Sequence, residues 1–309
     1  MTEKMIRIFA PATISNVGSG FDIMGFAIEG AGDTLEMELR NDSSFIIDNK
    51  TGIQLPPGSR DNVIYPVIKA LQKEMGVDIG VNIIFTGKLK PGSGMGSSAA
   101  SSVAAAYGFN KLLGSPLRRK ELIKYAMEGE KHASGTGHAD NVAPCMLGGF
   151  SLIRSYRPLD IIEIPYPESL FCSAVLPGIS IKTSEGRSVL DKSHSLDKTI
   201  TQTGNAASLI AGLITGNYEL IGRSMVDVIA EPRRKSMIPG FDDVRKAALK
   251  AGALGCNISG SGPAVFALSA NIETARESGN AMVEIFRNNN LDCQLMISPI
   301  SKEGVREIK

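Results

Sequence analysis

Two hydrophobic periods, one near two residues and one near 3.6, alternate along the chain and divide it into strands and helices. Residues 5–10 put Ile6 and Ile8 on one face of a predicted strand, and 35–39, 45–47 and 81–85 add three more. Between the last two, Val63, Val67, Ile68, Leu71 and Met75 form a helical stripe over 62–75 that stops at Gly76. Beyond a cluster of glycines at 92–96, residues 97–113 read as a helix crowded with Ala and Ser, which lets backbones approach closely. A second helix over 117–133 opens behind Pro116. The remainder predicts a strand at 171–176, helices at 203–214, 218–229 and 242–253, a strand at 264–268, a helix at 272–287 and a strand at 292–297. Helices and strands mixed in both halves, without strict βα repetition, predict an α+β fold. Prolines at 158, 165 and 167 mark the expected boundary between an N-terminal domain, 1–163, and a C-terminal domain, 164–309.

The strongest local chemistry lies in Pro91-Gly-Ser-Gly-Met-Gly-Ser-Ser-Ala-Ala100. A glycine-rich loop running from a strand into a helix N-terminus offers unpaired N–H groups and a positive dipole end to an anion. Glycines admit phosphate to backbone that a Cβ would block. From Ile79 to Lys120 there is no Asp or Glu, whereas Lys88, Lys90, Lys111, Arg118, Arg119 and Lys120 all fall there. No Lys follows the glycines, which excludes a Walker A loop. Gly94-Met-Gly96-Ser-Ser-Ala99 satisfies the dinucleotide pattern GxGxx[GA], but the following strand and its acidic residue are missing. The remaining alternative is a plain flexible turn before a small-residue helix.

Further polar residues stand where a phosphotransferase needs them. On the helix over 117–133 the stripe Leu122, Ile123, Ala126 and Met127 leads to Glu130, a core-facing carboxylate that needs a partner. A magnesium ion bridging nucleotide phosphates is one partner; solvent or Lys131 is the alternative. His138, Asp140 and Asn141 follow a glycine turn, either as an Asx-type turn or as a polar wall beside a transferred phosphoryl group. Such transfer needs positioning and charge stabilisation more than a strong base. Asn16 and Asp22, in a loop rich in breakers, suit the ammonium and hydroxyl end of an amino-acid substrate, or simply cap a turn. Its carboxylate would call for arginine. Arg187, with Thr183 nearby, and Arg233 and Arg234 lie in later segments, where the alternative is solvated charge. Asn257-Ile-Ser-Gly260-Ser-Gly262-Pro263 is either a backbone nest for an anion or a hairpin-like connection.

These motifs together resemble the GHMP kinases, a family named for galactokinase, homoserine kinase, mevalonate kinase and phosphomevalonate kinase. Gly94-Met-Gly-Ser-Ser-Ala-Ala100 is similar to the family's P-x-x-x-G-[LM]-G-S-S-A-A, with Lys90 where the proline usually sits and Pro91 one place later. Residues 11–25 resemble P-A-[ST]-x-x-N-x-x-x-G-F-D-x-x-G, 138–149 resemble H-x-D-N-V-A-P-C-x-x-G-G, and 259–263 read S-G-S-G-P. Those are the forms of the branch that phosphorylates L-homoserine. The resemblance implies a nucleotide site at Lys90, Pro91, Gly92, Ser93, Gly94, Met95, Gly96, Ser97, Ser98, Ala99 and Ala100, with Mg²⁺ held by Ser98 and Glu130. It implies catalytic roles for Asn141, Asp140, Glu130 and Ser98, with Asp140 acting as a base or Asn141 only positioning the hydroxyl. Substrate residues would be Asn16, Asp22, His138, Thr183, Arg187, Arg234 and Gly260; Arg234 is preferred over Arg233 because the branch reads E-P-x-R. The implied fold is two-domain α+β, with an N-terminal domain like the second domain of ribosomal protein S5, a ferredoxin-like C-terminal domain and the active site between them. The implied reaction is ATP-dependent phosphorylation of the L-homoserine side-chain hydroxyl to O-phospho-L-homoserine, for threonine biosynthesis. A family member acting on mevalonate or a sugar would not need the arginines or Asp22, and a binding-only member would be expected to have lost Ser98 or Glu130.

Composition narrows the class further. Of 309 residues, 43% are hydrophobic and 21% charged, which excludes a disordered or fibrous chain. With 33 Lys+Arg against 32 Asp+Glu there is no basic excess, so no nucleic-acid partner is expected. No apolar run approaches 18 residues and the N-terminus lacks a secretory h-region, so neither membrane span nor leader is expected. Cys145, Cys172, Cys256 and Cys293 are scattered, without CxxC or a His at ligand spacing, and read as buried or free thiols rather than a disulfide or zinc framework. The expected location is cytoplasmic. Oligomeric state is open, with a homodimer as the candidate.

Overall fold

The computed structural model describes residues 5–309; residues 1–4, the start of the expected first domain and of the segment read for a leader, lie outside the described part. Strands β1 (Ile6–Ser15) and β2 (Met24–Leu39) form a long antiparallel pair, both longer than their sequence patterns suggest. From Ala10 to Ser15 every residue is buried, so the polar alternation that marks a strand disappears there. The rest of this sheet is β3 (Phe45–Asn49), β4 (Val81–Gly87), β5 (Phe150–Tyr156), β6 (Leu159–Ile164) and the C-terminal β11 (Arg306–Ile308). Its order is β11-β1-β2-β4-β3, with β5 branching from the start of β2 and β6 beside β5; only β3 and β4 run parallel.

Helices α1 (Ile64–Met75), α2 (Ser97–Leu112), α3 (Arg119–Ser134) and α4 (Val142–Leu147) cover this sheet. α2 is central and buried almost all round, as a helix without a polar face must be. Its small residues allow close contact: a Cβ on Gly129 of α3 would lie 2.0 Å from Ser102 Oγ of α2. α2 lies across β1 and β2, and its start faces Thr13 of β1.

The chain changes sheet after Ile164. Pro165 and Pro167 lie in that crossing, whereas Pro158 sits in the turn between β5 and β6, within the first sheet. The second sheet comprises β7 (Phe171–Pro177), β8 (Gly255–Ile258), β9 (Val265–Ser269) and β10 (Cys293–Pro299), antiparallel throughout in the order β10-β7-β9-β8. That order, with helices inserted after β7 and β9, is the ferredoxin-like arrangement. The helices are α5 (Thr183–Ser188), α6 (Leu196–Thr215), α7 (Tyr218–Ser224), α8 (Glu231–Arg234), α9 (Phe241–Lys250) and α10 (Ile272–Asn288). The helix expected over 218–229 stops at Ser224, because the Asp227 carboxylate accepts N–H bonds from Ile229, Ala230 and Glu231 and turns the chain into α8. Phe26 and Phe150 of the first sheet meet at 4.7 Å, and Phe26 meets Phe266 of the second edge-on at 5.8 Å. Such pairs contribute about 0.5–1.5 kcal/mol each beyond area burial, and the second ties the two halves together. Among the described residues no helix is long and apolar enough to cross a membrane.

Candidate active site

A cavity of about 500 Å³ opens where the two halves meet, a size typical of small-ligand sites. The glycine loop forms one wall. Gly92, Gly94 and Gly96 all have positive φ, and a Cβ on Gly96 would lie 2.1 Å from Thr13 Oγ1, so the loop's path requires glycine there. Both flanks grip it: Thr13 N–H donates to Met95 O, Ala264 N–H to Ser93 O and the Ser259 hydroxyl to Gly94 O. The first helical bond of α2 runs from Ala100 N to Gly96 O, which leaves the amides of Ser97, Ser98 and Ala99 ahead of the ladder. Pro91, Gly92, Ser93, Gly94, Gly96, Ser97 and Ser98 line the cavity. Lys90 stands exposed at the loop's entry, while Met95, Ala99 and Ala100 point into the apolar cores.

Glu130 reaches the same wall from α3. Its carboxyl is buried, with Oε1 lacking any hydrogen-bond partner among the described residues. Burial pushes its pKa up to about 6, against the opposing pull of the Ser98 hydroxyl and Lys88. An orphaned buried carboxylate oxygen beside a hydroxyl is a donor set suited to one hard cation that also takes phosphate oxygens and water. Lys88 itself is committed to the protein. Its Nζ lies 3.0 Å from Asp33 Oδ2 and donates to the carbonyl and hydroxyl oxygens of Ser97. Asp33 in turn accepts from the Ser101 hydroxyl and the Leu89 amide. This buried network anchors the first turn of α2, while Lys88, Ser97 and Ser101 also border the cavity.

Asn141 and Asp140 sit between the loop and the far end of the cavity. The Asn141 amide is locked: Oδ1 accepts from the Thr13 hydroxyl at 2.7 Å and Nδ2 donates to Ser15 Oγ at 2.9 Å. Asp140 is buried, and burial, with the nearby charges of Asp22 and Glu130, pushes its pKa up to about 7. A group titrating there is poised to accept a proton near neutral pH.

The far end collects the residues expected to hold an amino acid. Asn16 and Asp22 both adopt positive φ; the Asp22 amide donates to Asn16 Oδ1, and Asn16 Nδ2 donates to Gly260 O. Across 165 residues of sequence, Arg187 Nη2 donates to both Asp22 oxygens at 2.8 and 2.9 Å, while its Nε is buried without a partner among the described residues. Arg234 is buried, with Nε donating to Gly186 O and Nη1 to Gly260 O, which fixes the plane of its fork. His138 lies 3.7 Å from Asp22, and burial lowers its pKa despite that carboxylate. Thr183, at the start of α5, and Gly260 complete the lining. Arg233 points elsewhere and pairs with Asp191.

The cavity is also lined by Leu55, Pro56, Asn62 and Val63, a partly apolar wall, and by Ser180, Lys182 and Ser261; of these, the sequence marks Asn62 and Val63 only as the start of a helical stripe and Ser261 only as part of the 257–263 segment. No local signal marks Leu55, Pro56, Ser180 and Lys182 as cavity residues; only the fold gathers them there.

Residues 62–149 match the GHMP kinases N terminal domain and residues 209–288 the GHMP kinases C terminal domain. The chain belongs to the GHMP kinase family. Within it, this chain is similar along its whole length to proteins named homoserine kinase. That of Chlorobium phaeobacteroides (strain BS1) is 46% identical over 319 residues, covering 99% of this chain and 100% of the relative. The protein of Chlorobaculum tepidum is 45% identical over 320 residues, covering 99% and 98%. The crystal structure of homoserine kinase from Cytophaga hutchinsonii superposes with a TM-score of 0.95 at 44% identity, covering 100% of this chain and 98% of that one. Lactococcus lactis galactokinase, complexed with galactose, shares the fold at a TM-score of 0.74 and 15% identity, over 99% of this chain and 96% of that one.

Proposed function

We infer that this chain is an ATP-dependent kinase that phosphorylates the side-chain hydroxyl of L-homoserine, giving O-phospho-L-homoserine for threonine biosynthesis. One observation carries the substrate reading: a single cavity has a phosphate loop at one end and an opposite-charge pair, Asp22 and Arg187, at the other. A zwitterionic amino alcohol matches that pair. Its ammonium group replaces Arg187 at Asp22, and its carboxylate takes the unpartnered Nε of Arg187 together with Arg234. Asn16, His138, Thr183 and Gly260 shape the pocket around its backbone end.

The triphosphate lies along 91–98, against the free amides at the start of α2, with Lys90 at the entry and the base toward Leu55, Pro56 and Val63. Met95, Ala99 and Ala100 contribute by packing the loop and helix into the cores. Ser98 and Glu130 fit Mg²⁺ and would hold it; its charge would neutralise the phosphate oxygens. The locked Asn141 amide directs the acceptor hydroxyl, and Asp140 takes its proton at a carboxylate oxygen as the new O–P bond forms and the bond from the γ-phosphorus to the β–γ bridging oxygen breaks, with ADP as the leaving group.

We place the division between the two domains at 163/164, at the last residue of β6 just before the chain crosses to the second sheet; β11 then returns to the first. A cytoplasmic location is supported by four free cysteines, and balanced charge speaks against a nucleic-acid partner. Leu196, Ile200 and Ile214, exposed along α6, support a homodimer.

The zwitterion pocket is tested with acceptors lacking one charge. Against L-homoserine, both 4-hydroxybutanoate and 3-aminopropan-1-ol are expected to lose roughly 10²-fold or more in kcat/KM, because the first leaves Arg187 closed on Asp22 and the second takes Asp22 but leaves Arg187 and Arg234 without their carboxylate. Turnover of either within a few fold of homoserine would remove the charge-pair assignment.

A further inference from the structure

Phe21 belongs to none of the three apolar cores, although large aromatic side chains usually join one. Its neighbours are charged instead. The Arg187 guanidinium carbon lies over its ring at 5.6 Å from the centroid, and that of Arg234 at 5.1 Å. The two arginines come from α5 and α8 of one half, whereas Phe21 belongs to the loop between β1 and β2 of the other. Two like charges gathered in a partly dry cleft repel, and each needs something that holds its plane. Arg234 has the Gly186 and Gly260 carbonyls, and among the described residues Arg187 has only Asp22. The negative face of an aromatic ring attracts both guanidinium groups without competing for the donors they must offer to an anion.

We propose that Phe21 is a positioning residue whose ring orients the Arg187 and Arg234 guanidinium groups toward one carboxylate, and so sets the preference for acceptors that carry one. This rests on the reading of the two arginines as the carboxylate clamp. When the substrate ammonium takes over Asp22, Arg187 loses its only side-chain partner among the described residues, and the ring becomes the contact that keeps its plane. Phe21 thus matters most with substrate bound.

The test compares Phe21→Leu, Phe21→Met and Phe21→Tyr with the unmodified enzyme, using L-homoserine and 3-aminopropan-1-ol with MgATP and checking folding by thermal melting. Losing two cation–π contacts predicts that Leu or Met raises the homoserine KM roughly 10-fold. The ATP KM and the kcat/KM for 3-aminopropan-1-ol should stay unchanged, and Tyr should restore homoserine binding. If Leu or Met weakens both acceptors equally, or raises the ATP KM in step, the ring merely packs its loop and the proposal falls. If the variants keep the full preference for homoserine, the proposal alone falls. Absence of that preference in the unmodified enzyme overturns the clamp itself, and the role of Phe21 with it.

Discussion

Glu130→Gln lowers kcat by about 10²–10³-fold and raises the Mg²⁺ concentration needed for half-maximal rate, while the fold survives. The magnitude is that of removing one preorganised electrostatic group from a transferring centre. Gln keeps the shape and one oxygen but not the charge, and its neighbours do not restore it: Ser98 is neutral and Lys88 is a cation paired with Asp33. The stability outcome has the opposite sign. The carboxyl titrates near 4.5 when ordinary and at about 6 when buried here, so above that range the folded protein carries a desolvated charge that opposes folding. Gln removes that opposition, and the melting temperature at pH 8 is expected to hold or rise. Steady-state rates over a Mg²⁺ series, with melting curves beside them, check both halves. Unchanged activity at limiting Mg²⁺ would contradict the assignment.

Asp140→Asn is the second large effect. The carboxyl is raised from 3.8 to about 7, so kcat/KM of the unmodified enzyme should climb with pH through about 7 as it ionises. The substituted amide cannot ionise: the rising limb should vanish and activity fall by roughly 10²–10⁴-fold, the range ascribed to general-base help. Linkage gives an independent reading. Because the folded pKa lies above the unfolded one, the protonated carboxyl favours folding most below 3.8, and that advantage is lost as pH rises to about 7. The variant should therefore be more stable than the parent at pH 8 and gain nothing below pH 4. An Asp140→Asn enzyme with full activity and an unshifted pH profile would leave Asn141 alone to manage the hydroxyl.

Local chemistry is legible wherever it is continuous in sequence. The glycine run predicts a helix beginning at residue 97, and α2 begins at Ser97; the stripe ending at Met75 stops at Gly76, which adopts positive φ. Helical periodicity alone places Glu130 on the core-facing side of its helix, and it is buried. What the sequence hides is contact across distance. Lys88 looks like one more basic residue of a phosphate loop, yet Asp33, far earlier in the chain, and Ser97 take its hydrogen bonds. Asp22 and Arg187 each suit a charge of the substrate, but nothing in their spacing says that they meet when no ligand is present. Strands β5 and β6 are obscured by Pro158, which looks like a domain boundary and is a hairpin turn. The branch-specific motifs, rather than periodicity, point to homoserine; physical reasoning by itself reaches only a magnesium–nucleotide phosphotransferase.

The central claim is that one cavity joins ATP to the hydroxyl of homoserine. It is tested most directly by measuring ADP release with MgATP and L-homoserine, L-threonine, L-serine, mevalonate or galactose, and identifying the phosphorylated product by ³¹P NMR. Strong turnover is expected with L-homoserine alone, giving a phosphomonoester on its side-chain oxygen. Preferred turnover of mevalonate or galactose, or ATP binding without any phosphomonoester, would contradict it.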